Sequence, residues 1–416
     1  MNRMQARVLV SLRRILGAGG LLLVVLALAL ATIHQDKLRR VYHVLGLFEP
    51  DRIVDNFRSM ETMFQTVPVR RGESAHRFES APSDLPPTYE YKGTTRDVAR
   101  FLQDTWTTGL IVLQDGRVVH EKYFLGNTAA SKSISWSVAK SFISALVGIA
   151  VEEGRIADIH QPVSDYVPVL RGSGYDGVSI KDVLQMSSGI RFDENYGAFF
   201  SDINRLGRAI AFNASLDEFV ASLKRERAPG TFHHYVSMDT QVLGMLLRAT
   251  TSETLASYLE SRIWKKLGME SDAYWLVDRN GMELAFGGLN AVLRDYARLG
   301  QLYLNEGAWE GRQIVPAAWV RASTTPDAPH LRPGNPASSW VLGYGYQWWI
   351  PQQPDGDYLA IGVYGQFVYV YPKKKIVIAK TSAYPAYTED GAEKELETIA
   401  LFRAIARHMS GPVSGK

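Results

Sequence analysis

The 416-residue chain contains no cysteine. That absence excludes disulfides, thiolate zinc sites and a cysteine nucleophile together, and it leaves the compartment open. Charge of one sign is equally scarce. The 46 Lys and Arg against 43 Asp and Glu leave a formal charge of +3, and no Lys/Arg stripe with interleaved aromatics is present, so nucleic acid is not an expected partner. No H-E-x-x-H, Walker loop or EF-hand spacing occurs, so no metal or nucleotide cofactor is called for. No internal repeat is visible. What remains is 46% hydrophobic, 11% aromatic and 21% charged, the composition of a folded globular protein. Its length exceeds one ordinary core, so one elaborated domain or two interleaved lobes is expected.

One long apolar run is present. Residues 15–33, ILGAGGLLLVVLALALATI, carry no charge, and at ~1.5 Å per helical residue they nearly span a ~30 Å hydrocarbon layer. Arg3, Arg7, Arg13 and Arg14 precede the run within a basic segment, residues 1–14, as in a secretory signal, and Ala29-Leu30-Ala31 offers an A-x-A cleavage site. The run is longer than a cleaved signal requires, so a retained membrane anchor is favoured over a removed one. Lys37, Arg39 and Arg40 beyond it weaken the charge argument for orientation. The expectation is a single-pass protein of the inner membrane with its body on the periplasmic side, or a secreted periplasmic one.

Residues 34–87, broken by SAPSDLPP at 80–87, read as a linker or arm. Folded structure begins at 109–124, GLIVLQDGRVVHEKYF, where two β-rich runs flank Asp115-Gly116, a dipeptide suited to a tight hairpin. Beyond Ser137, the residues Phe142, Ala145, Leu146, Ile149 and Ala150 recur on one helical face, and Gly154 stops the run. Helical patterns dominate 156–342, strand character returns at 365–372 and 375–382, and a closing helix runs near 389–409. The fold class is therefore α/β, with a lobe built from both chain ends (88–155 and 343–412) and a mainly helical lobe (156–342) inserted in it. An active site is expected in the cleft between them.

The chemistry sits in ISWSVAKSF, residues 134–142. Ser137 and Lys140 are three apart, so on a helix the hydroxyl and the amine share a face. A serine becomes a nucleophile when a neighbour takes its proton, and a lysine does so when burial or a helix N-terminus lowers its pKa. Taken alone, S-x-x-K also suits a capped helix start with an exposed lysine. Its setting, SWSVAKSFISALVGIAVEEGRI after a hairpin, resembles the first motif of the serine β-lactamase and penicillin-binding-protein superfamily. The stretch 89–409 is similar to its branch of class C-like esterases and 6-aminohexanoate-dimer hydrolases.

The resemblance implies a β-lactamase/transpeptidase-like fold over residues 88–412, an antiparallel sheet flanked by helices plus the inserted helical lobe. It implies a serine hydrolase cleaving a small-molecule ester or amide through an acyl-enzyme. Ser137 is its nucleophile, and Lys140 and Tyr235 of Tyr235-Val236-Ser237 share the base and acid roles, the phenol's pKa being lowered by the Lys140 ammonium. The backbone N–H groups of Ser137 and Val363 form the oxyanion hole, and Ser237, Gly362, Tyr364, Gly365 and Gln366 are candidate lining residues. The segment 180–190, ending in a Ser-Ser-Gly turn, also matches as structure. His233 and His234 read as loop histidines, since no nucleophile elbow surrounds Ser137, and the aromatics of 343–349 read chiefly as core. The family's third motif, Lys-Thr-Gly or His-Thr-Gly, has no basic counterpart in 360–372. That puts recognition of a β-lactam or peptide carboxylate in doubt. The rival readings are a β-lactamase or D-alanyl-D-alanine carboxypeptidase, and a non-catalytic membrane-anchored binding or sensor module of the same fold.

Overall fold

The computed structural model describes residues 41–212 and 214–410. The run 15–33 therefore lies outside the described residues, and among those described no helix is long and apolar enough to cross a membrane.

Among the described residues, fifteen strands form four sheets: β1 (Thr66–Val69), β2 (Thr88–Tyr91), β3 (Thr94–Asp97), β4 (Thr107–Gln114), β5 (Arg117–Tyr123), β6 (Lys132–Ile134), β7 (Ala273–Leu276), β8 (Leu289–Val292), β9 (Ala308–Trp309), β10 (Arg312–Gln313), β11 (Gly343–Tyr344), β12 (Trp349–Ile350), β13 (Tyr358–Gly362), β14 (Gln366–Tyr371) and β15 (Ile376–Ser382). The main sheet has the order β11-β12-β13-β14-β15-β4-β5 and is antiparallel throughout. The pairing of β15 with β4, Ile376 opposite Gln114 through Lys380 opposite Leu110, joins the two ends of the chain. Asp115 and Gly116 turn the β4–β5 hairpin with φ of 50° and 78°, the left-handed pair that an Asp-Gly turn supplies.

Both faces of this sheet are covered, which is why its strands read as continuous apolar runs. Leu110, Val112, Tyr369, Ile376 and Ile378 face the closing helix Tyr387–Met409 through Phe402 and Ile405. Their neighbours in sequence, Ile111, Leu113, Val368, Val370 and Val377, face the opposite way, as the two-residue period of a strand requires. That second face is closed by the helix Leu293–Leu304, where Gly300 permits contact: a Cβ there would lie 2.5 Å from Val377.

Three sequence expectations change here. The helix Leu293–Leu304 falls within the stretch assigned to the helical lobe but packs on the main sheet, and the same stretch contributes β7 to β10. The segment taken for a linker is built into the body. Its β1 pairs with β7 at the edge of a second sheet, β1-β7-β8-β6, and Ile53, Phe57 and Met60 enter the core. Finally, the helix Ala139–Glu152 has no single buried stripe, because residues 139–150 are buried on every side. The helix Ser237–Thr251 crosses one flank, and Trp319 lies so close on another that a Cβ on Gly148 would meet its ring at 2.4 Å.

Candidate active site

Strand β6 delivers the chain to Ser135, and a short turn of 3₁₀ helix, Trp136–Val138, leads into the buried helix Ala139–Glu152. Trp136 takes a left-handed φ of 41°, a strained conformation for a bulky residue. Its ring is held by Phe48 at 5.8 Å, Phe57 at 5.4 Å and Tyr364 at 6.3 Å. The arm thus helps fix the residue that aims Ser137.

One turn on, Lys140 is 1% exposed. Its Nζ donates to Ser137 Oγ at 2.9 Å, to Ser237 Oγ at 3.2 Å and to the Phe286 carbonyl at 2.8 Å. Burial pulls its pKa well below the usual lysine range, and the carboxylates of Glu194 and Asp239 act in the opposite sense. Glu194 in turn is pushed up by burial and held against that by Lys140 and Ser237. Lys140 and Glu194 therefore compete for a proton in a dry space, as coupled groups do.

Tyr235 is brought to the same point. The Ser137 side chain acts on its phenol in the sense that lowers its pKa, and Lys140 Nζ lies 5.1 Å from its ring centroid. Burial and the Glu194 carboxylate nevertheless push the phenol well above its ordinary pKa. This direction is opposite to the lowering expected from the Lys140 ammonium, and burial is its largest cause. Trp349 stacks on the ring at 5.2 Å.

Val363 follows β13 and lines the space beside Ser137. Gly362 lets the strand approach: a Cβ there would lie 2.5 Å from the Ser135 carbonyl and 3.1 Å from the Ser137 N. The other expected lining residues stand behind the wall rather than in it. Gln366 donates to the Ser382 carbonyl at 2.6 Å and accepts from its N–H at 3.2 Å, so it braces the turn between β13 and β14. Tyr364 stacks on Phe48 at 4.7 Å, Gly365 supplies a φ of 92°, and Ser237 sits beneath Lys140. His233 pairs with Ser338 Oγ at 2.9 Å and His234 with the Phe192 carbonyl at 2.8 Å. Burial takes His233 down to about 3, so it is no base.

Two cavities meet at Ser137, and Tyr196, Gly197 and Val363 are common to both. One, of 460 Å³, holds Tyr235, Trp349, Tyr387, Glu194, Glu389 and Glu395. Burial lifts Glu395 to about 7, and it accepts from the Tyr387 hydroxyl at 2.6 Å. Among the described residues, no lysine or arginine lines this cavity. Lys380, also buried and held down to about 7, is bound to Ser382 behind the turn. The second cavity, of 400 Å³, is lined mainly by apolar side chains. Sequence reasoning missed Glu194, Glu395, Tyr387 and the arm residue Phe48, which reach the site from three separate segments, Tyr387 and Glu395 sharing the closing helix, with no spacing relation to Ser137.

The beta-lactamase family model matches residues 98–400. The chain is similar to a 6-aminohexanoate-dimer hydrolase of Paenarthrobacter ureafaciens, 32% identical over 298 residues, which cover 70% of this chain and 76% of that one. Its structure resembles that of a Bacillus anthracis protein assigned as a 6-aminohexanoate-dimer hydrolase, with a TM-score of 0.79 and 25% identity over 87% of this chain and 96% of the other. It shares its fold with a penicillin-binding-protein homologue of Pyrococcus abyssi, with a TM-score of 0.53 and 21% identity over 72% of this chain and 76% of that one. The fold is thus the β-lactamase and penicillin-binding-protein fold. The matched stretch takes in Ser137, Lys140 and Tyr235 together with the strand carrying Gly362, and the chain belongs to the beta-lactamase family as one of its serine hydrolases.

Proposed function

We propose that the protein cleaves a carboxylic ester or amide through an acyl-enzyme on Ser137. The observation that carries this is the 2.9 Å contact between Ser137 Oγ and a buried lysine whose pKa is depressed. Neutral Lys140 takes the hydroxyl proton as Oγ attacks the carbonyl carbon. The N–H groups of Ser137 and Val363 hold the oxyanion. Tyr235, kept protonated by its surroundings, passes a proton to the departing alcohol or amine and recovers one from Lys140. Water then enters, gives its proton to the same pair as its oxygen bonds to the acyl carbon, the bond from that carbon to Ser137 Oγ breaks, and the proton passes to Oγ as the acid is released. The assignment of the first proton to Lys140 follows from the opposite directions in which burial moves an amine and a phenol.

A cavity with three carboxyl side chains and no cationic lining residue does not suit a β-lactam or peptide carboxylate. The test is direct: wild-type protein and Ser137→Ala are given p-nitrophenyl esters and p-nitroanilides, and a penicillin is offered as a label. Turnover confined to the wild type, without penicillin labelling, supports the reading. Equal turnover in both proteins overturns it.

We further propose that residues 15–33 tether the enzyme to the inner membrane with its catalytic body outside the cytoplasm. The support is the uncharged length of that run behind four arginines. Release of the full chain from membranes by alkaline carbonate, without detergent, would overturn it.

A further inference from the structure

The two cavities at Ser137 differ in chemistry, and the catalytic groups decide which part of the substrate enters each. The leaving group needs a proton from Tyr235, and Tyr235 lines only the acidic cavity. The leaving group therefore occupies that side. With the carbonyl carbon against Ser137 Oγ, the acyl substituent must extend away from Tyr235, into the second cavity.

That cavity is walled by Leu47, Phe48, Met60, Phe64, Leu206 and Phe286. Two of its polar members are engaged elsewhere, while the Trp136 indole Nε1 is buried without a partner among the described residues. The Asn204 amide donates to the Tyr196 and Ala198 carbonyls, both at 2.9 Å. Arg208 donates to the Phe199 carbonyl and lies over the Phe199 ring, 4.3 Å from its centroid. Two large apolar lining residues stand open to solvent, Leu45 at 69% and Phe199 at 63% exposure, and Phe200 beside them is 88% exposed. Apolar side chains grouped at a cavity in this way mark a place where hydrocarbon is bound.

We propose that this cavity is the acyl subsite and that the substrates are esters or amides of long-chain fatty acids, with the arm, residues 44–64, forming one wall. The inference rests on Ser137 being the nucleophile. In the step it describes, the bond from Ser137 Oγ to the acyl carbon forms and the bond from that carbon to the leaving oxygen or nitrogen breaks. The serine proton leaves with the alcohol or amine.

Gly207 provides the test. It lines the cavity, and a Cβ there would meet no atom within 4 Å, so Gly207→Phe places a ring in free space and also favours the helix. The full-chain protein is assayed with p-nitrophenyl acetate, butyrate, octanoate and decanoate. The expected result is a kcat/KM that climbs roughly fourfold per added methylene, and a climb that flattens in Gly207→Phe. A flat or falling series in an enzyme whose turnover requires Ser137 overturns the acyl subsite and leaves the hydrolase reading standing. Should Ser137→Ala turn over like the wild type, the hydrolase reading fails, and binding of methyl decanoate to Ser137→Ala decides the cavity separately. Binding that Gly207→Phe abolishes in that background supports an apolar-chain site. Absent or unchanged binding overturns it.

Discussion

A lysine with 1% of its surface exposed is costly to keep charged, and in the proposed mechanism that cost suits Lys140 to act as the base. The same burial works against Tyr235 as a base, because a phenolate is the charged form of tyrosine. The proposed mechanism therefore divides the labour by charge type, with the amine receiving and the phenol relaying. Ser137→Ala and Lys140→Ala should each lose at least ~10³-fold in kcat while keeping their folds by circular dichroism. Tyr235→Phe should lose ~10²–10⁴-fold, with the loss greater for amides than for activated phenyl esters, whose leaving groups need little proton assistance. Glu194 raises the Lys140 pKa, so Glu194→Gln should move the acidic limb of the kcat/KM profile to lower pH. A limb that stays in place would show that Glu194 only supports the Ser237 N–H, which it accepts at 3.0 Å. Ser137 and Lys140 were legible because three residues of helix place them together. Tyr235 was legible through its family motif, and Glu194 was not legible at all, since long-range folding alone brings it within reach of Lys140.

At the scale of elements, the catalytic turn is held from two sides, by the end of β13 and by the arm. Gly362 marks the first. With a Cβ 2.5 Å from a backbone carbonyl, and no flexible side chain to yield, Gly362→Ala must push the strand away from the Ser137 N–H. The account expects ~10²–10³-fold lower kcat, the scale of one lost oxyanion donor, with substrate binding less affected. Near-wild-type kcat in that variant would remove the β13 side of the oxyanion hole. The hairpins and the closing helix were readable from turn chemistry and periodicity. The arm was not, because four residues of β1 carry too little alternation to declare a strand until β7 is beside them. The helix Ala139–Glu152 misled for a related reason. Alanine, glycine and serine leave its other faces unmarked as apolar, yet small side chains are what let neighbouring elements close on all sides.

For the whole molecule, the strand-rich ends of the chain were legible and meet where β15 pairs with β4, whereas the middle contributes β7 to β10 and the helix Leu293–Leu304 that packs on that sheet. Assembling the site from distant segments also buries carboxyl groups in number. Asp239 is lifted to about 8 and Glu395 to about 7 by burial, while an unfolded chain titrates such groups near 4. Both folded pKa values are raised, so their contribution to stability is fully present below about 4 and is lost as pH rises through 7 and 8. In thermal unfolding these two groups should lower Tm from pH 5 to pH 8, against the opposite contribution that the depressed Lys380 adds above about 7. Asp239→Asn should make that slope shallower, and an unchanged slope would contradict the protonated state of Asp239.

The central claim is a covalent acyl group on Ser137, and rapid-quench mass spectrometry of the full-length protein with a p-nitrophenyl ester tests it most directly. The account predicts a burst of p-nitrophenol, an intact mass raised by one acyl group, and a modified peptide that localises the group to Ser137. Steady turnover with no burst and no adduct, or an adduct on any other residue, would contradict it.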